Sequence, residues 1–319
     1  MKALTLWGRA LFSLSLVGAL LYFVDWRQSL TLLRQIDPLP LLLALPLFPL
    51  GLWISAEKWR LLLLVHQLRI GSWQLLQWYW IGAFLSNFLP SSIGGDVSRL
   101  AFTRHMGRMA EVAASIVMER LTGFGVLLAF STLSLILGGG YLQEPGLEPL
   151  LWLLVAGSAV VLGLTVCCGN HLAGLVNGLC AGRQGLLFRW LAKGNKVAQA
   201  LAFYRGYGRI TVICLLLSLL FYVLTIIAHY LFFHSLDIPI SLAGVFLIVP
   251  LITLISALPI SVNSLGLAEG AYVLLFTQVG IPPEECFAVA LLIRFVQLLL
   301  TSLGGILLLI AKRKRLKSI

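Results

Sequence analysis

From Leu4 to Ile310 the chain is a succession of apolar runs, each close to the length that crosses a bilayer, joined by short polar segments. A helix needs about 20 apolar residues to span the hydrocarbon core. Only helices and closed barrels satisfy their own backbone there. Leu4–Val24, Leu39–Ala56, Val112–Leu137, Leu150–Cys167, Ile210–Phe233 and Cys286–Ile310 read as full spans. Two further apolar stretches, Trp73–Ser98 and Leu242–Gln278, are interrupted by Pro and Gly. Only 11% of the residues are charged and 60% are hydrophobic, against roughly 25% charged in a soluble domain. No stretch is polar enough to fold in water alone. The expected class is all-α: one integral membrane domain over residues 1–319.

Charge sorts the connecting segments. Glu57–Ile70 carries Lys58, Arg60, His66 and Arg69, and Arg99–Glu111 carries Arg99, Arg104 and Arg108. Six Lys or Arg residues lie in His171–Arg209, and the tail reads Lys312-Arg313-Lys314-Arg315-Leu316-Lys317. Gly138–Pro149, Ser235–Ser241 and Val279–Glu285 contain neither Lys nor Arg. By the positive-inside rule the first set is cytoplasmic and the second external. Asp25–Pro38, with balanced charges, is external by elimination. Both ends are then cytoplasmic, in a multi-pass protein of the cytoplasmic (inner) membrane. The apolar run after Lys2 and Arg9 continues past its only small-residue site, so a retained span is expected rather than a cleaved signal. The net charge of +11 does not point to nucleic acid, which needs a basic face on a soluble scaffold.

The same sorting fixes the interrupted stretches. Trp73–Ser98 has basic segments on both sides, so it enters from the cytoplasm and returns there. Leu242–Gln278 has base-free segments on both sides, so it enters and leaves outside. Each is expected to be a re-entrant hairpin of two half-helices, giving six full spans plus two opposed hairpins. The turns are alike: Leu89-Pro90-Ser91-Ser92-Ile93-Gly94-Gly95-Asp96 and Leu258-Pro259-Ile260-Ser261 through Gly266 to Glu269. Arg120 follows Asp96 by 24 residues, and Arg294 follows Glu269 by 25. An inverted repeat is therefore expected, with halves at roughly 39–137 and 210–310. Paired Pro/Gly breaks of this kind point to a transporter binding site.

The candidate site follows from these breaks. Pro90 and Pro259 leave carbonyls unpaired, which Asn87, Ser91, Ser92, Ser261, Asn263 and Ser264 can cover. Half-helices starting near Gly94 and Gly266 aim positive ends at the midplane. With Arg120 and Arg294, each roughly 12 Å into the hydrocarbon by helical rise, they suit a lipid phosphate. Asp96 and Glu269 either contact substrate or pair with the arginines. Arg99, Arg104 and Arg108 read as ordinary loop charge. Glu57–Ile70 reads as an interfacial segment, and Ala173–Tyr207 as an interfacial helix pair or long loop. His229 and His234 read as interfacial or core residues. The five cysteines read as small hydrophobes. No metal set, nucleophile–base pair or nucleotide motif is present, so neither catalysis nor a cofactor is expected.

The motifs Leu-Pro-Ser-Ser-Ile-Gly-Gly-Asp with Arg99, Glu119-Arg120-Leu121-Thr122-Gly123, and Leu-Pro-Ile-Ser with Gly266-Leu267-Ala268-Glu269-Gly270 resemble the flippase-like membrane domain of the lysylphosphatidylglycerol synthases. The resemblance implies a lipid-translocating fold and matches Pro90, Gly94, Gly95, Asp96, Arg99, Glu119, Arg120, Pro259, Gly266 and Glu269. Ser264 and Ala268 depart from the family's usual Gly and basic residue. No aminoacyl-transferase domain is expected to follow Ile319, nor synthesis of an aminoacyl lipid. The expected function is a lipid flippase moving an anionic or phosphate-bearing headgroup between leaflets. An ion-coupled exporter of small polar solutes and a non-transporting assembly partner are the alternatives. The expected partner is a membrane phospholipid or lipid-linked substrate, with a homodimer possible.

Overall fold

The computed structural model describes residues 13–22, 24–87, 93–138, 144, 146–180, 199–258 and 260–316, with side chains at all but 93, 164–180 and 311–316. Twelve α-helices of seven residues or more follow one another among these residues, with a further helical turn at 199–202 and no strand. They are α1 (Ser13–Tyr22), α2 (Trp26–Leu32), α3 (Pro38–Ala44), α4 (Leu47–Val65), α5 (Ser72–Ser86), α6 (Ile93–Thr103), α7 (Met109–Gly138), α8 (Leu147–Cys180), α9 (Gly208–Ser235), α10 (Leu242–Ser256), α11 (Leu267–Phe276) and α12 (Pro283–Leu316).

Four segments are long and apolar enough to cross a membrane: Pro38–Val65, Met109–Gly138, Gly208–Ser235 and Pro283–Ile310. Leucines stand exposed along them, among them Leu216 and Leu220 on α9 and Leu299, Leu303 and Leu309 on α12. A continuous apolar exterior of this kind is what lipid, not water, solvates. A multi-pass, all-helical membrane protein was expected, and the four segments fall at four of the six expected spans.

Several boundaries differ from the sequence expectation. Glu57–Val65 is not interfacial: it continues α4, and Trp59, Leu62 and Leu63 are fully buried. Leucines on both sides of the charged residues keep that helix in the packed bundle. Asp25–Pro38 is not a bare loop, because Asp25 Oδ1 accepts from the amides of Arg27 and Gln28 and starts α2, the N-cap role of a short carboxylate. Ser29 then donates to the Glu284 carbonyl, 2.9 Å, docking α2 on the start of α12. Of the long segment expected from Ala173 to Tyr207, residues through Cys180 prolong α8, and 181–198 lie outside the described residues.

The interrupted stretches form two short-helix pairs. α5 packs on α6, and α10 on α11. The pairs are then exchanged: α5 also packs on α12, and α10 on α7. Small residues permit the first contact. A Cβ on Gly304 would fall on the Trp80 carbonyl, and one on Gly305 would come within 2.8 Å of the Phe84 ring. Hydroxyls support the second. Pro250 lacks an amide hydrogen, so the carbonyl of Phe246, four residues back, loses its helical donor. Ser134 of α7 shares its hydroxyl between the Phe130 carbonyl at 2.8 Å and the Phe246 carbonyl at 3.3 Å, and Ser131 donates to the Pro250 carbonyl at 3.3 Å. Both serines are buried, where an unpaired carbonyl is costly.

Candidate functional site

The first site element is the α5–α6 pair. Gly82 and Gly95 face each other so closely that a Cβ on Gly95 would lie 3.3 Å from the Gly82 carbonyl oxygen. The Gly95 amide donates to Ser86 Oγ at 3.0 Å, so α5 caps the start of α6. Gly94 begins the same turn of helix, as expected. Pro90, Ser91 and Ser92 lie outside the described residues.

One turn into α6, Asp96 and Arg99 join a network of ions. Arg99 pairs with Asp96 and, at 2.6 Å, with Glu119 of α7. The same guanidinium donates to Tyr79 at 2.6 Å, and lies over the Tyr79 ring at 4.5 Å and the Trp59 ring at 5.0 Å. Its side chain is only 4% exposed, so Arg99 is not loop charge. Asp96 belongs also to Arg120, which donates to both of its oxygens at 3.0 and 3.2 Å. Both arginines thereby neutralise carboxylates that could not stay buried unpaired.

Lys58 completes the cluster and was not foreseen. Its ammonium lies 3.3 Å from the Glu119 carbonyl and 3.0 Å from Ser218 Oγ. Counting it as loop charge hid it. The signal that could have found it is the apolar run on both sides, which makes Pro38–Val65 a single membrane-length segment.

The second element is the turn between α10 and α11. Asn263 and Ser264 adopt positive φ of 47° and 56°, and Gly266 a φ of 77°. At Gly266 a side chain is doubly excluded, because a Cβ would come within 2.7 Å of Leu16. Glu269 accepts from the Gly266 amide at 2.8 Å and pairs with Arg294 at 2.7 Å. Arg294 spends its remaining donors on the carbonyls of Asn263 and Ser264, at 3.1 and 3.4 Å. Pro259 lies outside the described residues.

The two elements meet. Asn263 donates to Asn87 at 3.3 Å, and Asn87 donates to Thr301 of α12 at 2.8 Å. Beside this contact opens a cavity of about 670 Å³. Lys58, Asp96, Glu119 and Arg120 line one wall; Thr253, Ser256, Ser261, Asn263 and Ser264 line the other. Arg120 is 54% exposed although it lies among packed helices, so its exposure is to this cavity. Arg294 and Glu269 are not among its lining residues, and their side chains are 17% and 7% exposed. The expected equivalence of the two arginines therefore fails: Arg120 faces the open space and Arg294 holds a turn together.

A second cavity, about 950 Å³, lies beyond the end of α4 between His66, Arg104, Arg108 and Phe203. Arg108 donates to the His66 carbonyl at 2.8 Å. Burial pushes the His66 imidazole below its ordinary pKa; Glu111 raises it and Arg108 lowers it further. His229 and His234 sit apart from both cavities, His229 stacked on Tyr272 and His234 against Tyr230. No cluster of metal-ligating side chains occurs among the described residues.

Residues 6–305 match the family model described as the lysylphosphatidylglycerol synthase TM region. The chain belongs to this family. Its charged cluster, with the Glu119-Arg120 pair and the Gly-Gly-Asp start of α6, is thus carried on a family fold. The UPF0104 membrane protein MJ1595 of Methanocaldococcus jannaschii is 25% identical, over 95% of this chain and 94% of that protein. No solved structure matches the chain.

Proposed function

We propose that this family member moves a lipid with an anionic or phosphate-bearing headgroup between leaflets of the cytoplasmic membrane. The headgroup travels through the cavity between the two short-helix pairs, which act as hairpins re-entering the bilayer from opposite faces. The protein is then a translocator rather than an enzyme, with both termini cytoplasmic. One observation carries the reading: a polar cavity at the junction of the two broken turns, with Arg120 open to it. A phosphate there gains charge-assisted hydrogen bonds from a guanidinium already oriented by Asp96. Neither α6, with 11 residues, nor α11, with 10, is long enough to span the core. The reciprocal packing of α5 on α12 and α10 on α7 supports two equivalent, inverted halves.

Headgroup exchange in proteoliposomes tests this. Labelled anionic phospholipid in the inner leaflet should become accessible to an external quencher, and Arg120→Gln should slow that step about tenfold or more. Exchange no faster than in protein-free vesicles would end the lipid reading.

A further inference from the structure

The two walls of the central cavity differ in chemistry. On the first wall, Arg120 together with Arg99 buried behind it balances Asp96 and Glu119, and the Lys58 ammonium is one positive charge beyond that balance. Asp96 has both oxygens committed to guanidiniums, and Glu119 is paired with Arg99. The second wall carries no charge at all: Thr253, Ser256, Ser261, Asn263 and Ser264 offer hydroxyls and one carboxamide. Ser261 is 3% exposed, and its hydroxyl has no hydrogen-bond partner among the described residues. Thr253 and Ser264 donate to backbone carbonyls, which leaves their oxygens as acceptors. Left-handed backbone at Asn263 and Ser264 persists only where surroundings fix it, and such strain gathers at ligand sites.

Resting on the lipid-translocation reading, we propose that this cavity selects a phosphodiester whose head is an uncharged polyol over one whose head carries an amine. A polyol phosphodiester brings one negative charge, which the surplus cation neutralises in a poorly solvated space. Its hydroxyl groups meet the neutral wall, donating to the Thr253 and Ser264 oxygens and accepting from Ser261. An ammonium would face the same wall with no carboxylate on it to receive the charge, beside a surplus of like charge.

Binding to the full chain in detergent, read by native mass spectrometry, separates selectivity from transport. Phosphodiester lipids of matched acyl chains, one with a glycerol head and one with an ethanolamine head, are the probes. The glycerol-headed lipid should bind at least tenfold tighter. Lys58→Met should bring the two within about threefold, and Ser261→Ala, which leaves the ion cluster intact, should cut the preference by several-fold. Glycerophosphoglycerol without acyl chains should compete weakly if the natural source is lipid, and as well as the lipid if it is a soluble ester. Equal binding of the two heads by the unmodified chain, tighter binding of the amine, or binding of neither would overturn the proposal. Selective binding without exchange in vesicles would instead remove the translocation reading and leave the selectivity standing.

Discussion

The carboxamide of Asn263 donates to that of Asn87 across 3.3 Å, joining two turns that are 176 residues apart in the chain. Each Asn closes the end of one short-helix pair, and Asn87 passes the contact on to Thr301. The cavity therefore has a polar contact rather than an apolar seam at its junction. Hydrogen bonds between membrane helices average about 0.6 kcal/mol in double-mutant cycles. A cycle of Asn87→Ala with Asn263→Gly, the latter tolerant of the positive φ at 263, should give a coupling of about that size. Reversible unfolding in detergent is the measurement.

Arg120 and Arg294 should respond differently to neutralisation. Arg294→Gln strands Glu269 and two turn carbonyls; breaking a buried pair costs about 3 kcal/mol or more. Arg120→Gln leaves Asp96 paired with Arg99 and should cost no more than about 1 kcal/mol. Thermal unfolding of both variants, beside the exchange assay, separates the holding arginine from the exposed one.

Close packing of α5 on α12 makes Gly304 intolerant. In Gly304→Ala the new Cβ meets the backbone of Trp80, which cannot rotate away. Overpacking of this kind costs about 1–3 kcal/mol. Yield of monodisperse protein and its unfolding midpoint should both fall, whereas Gly157→Ala, with nothing within 4 Å of the added carbon, should be neutral.

Pro250 and Ser134 form a compensated pair. Ser134→Ala removes a hydroxyl shared with the Phe130 carbonyl, and with it the side-chain donor near the Phe246 carbonyl, which Pro250 cannot serve. The loss should be about 1 kcal/mol. Pro250→Ala restores a helical amide, so it should suppress the cost of Ser134→Ala, read by the same unfolding assay.

His66 sets a pH dependence at the far end of α4. Burial holds its folded pKa below the ordinary 6.5. The unfolded chain therefore binds the proton more readily, and stability from this group is fully present above pH 6.5. It is lost as pH falls from about 6.5 toward the depressed folded pKa. Unfolding midpoints at pH 7.5 and pH 5 should differ in the parent by more than in His66→Gln.

Much of the site was legible because breaks in an apolar run leave a plain signature. Pro, Gly, Ser and Asn in Trp73–Ser98 and Leu242–Gln278 announced two interrupted helices, and α5–α6 and α10–α11 occupy those places. Spacing brought Asp96 to Arg120 and Glu269 to Arg294. What the sequence hid was which charges lie inside. Lys58 and Arg99 stand in runs of basic residues, and a charge count assigns such runs to a loop. Burial there depends on Glu119, Tyr79 and Ser218, which arrive from other helices. The inequality of Arg120 and Arg294 was equally invisible, since it depends on which turn carbonyls lie within reach of a guanidinium.

The exchange of partners between the two halves bears on how the chain is made. α5 must lean its Trp80 and Phe84 on Gly304 and Gly305 of α12, yet α12 leaves the ribosome after every other described helix. Throughout elongation the first short-helix pair waits with one flank bare, holding its charged cluster in a half-built shell. The closing stitch is α12, and a nascent chain stopped short of it has the ions but no finished vault around them.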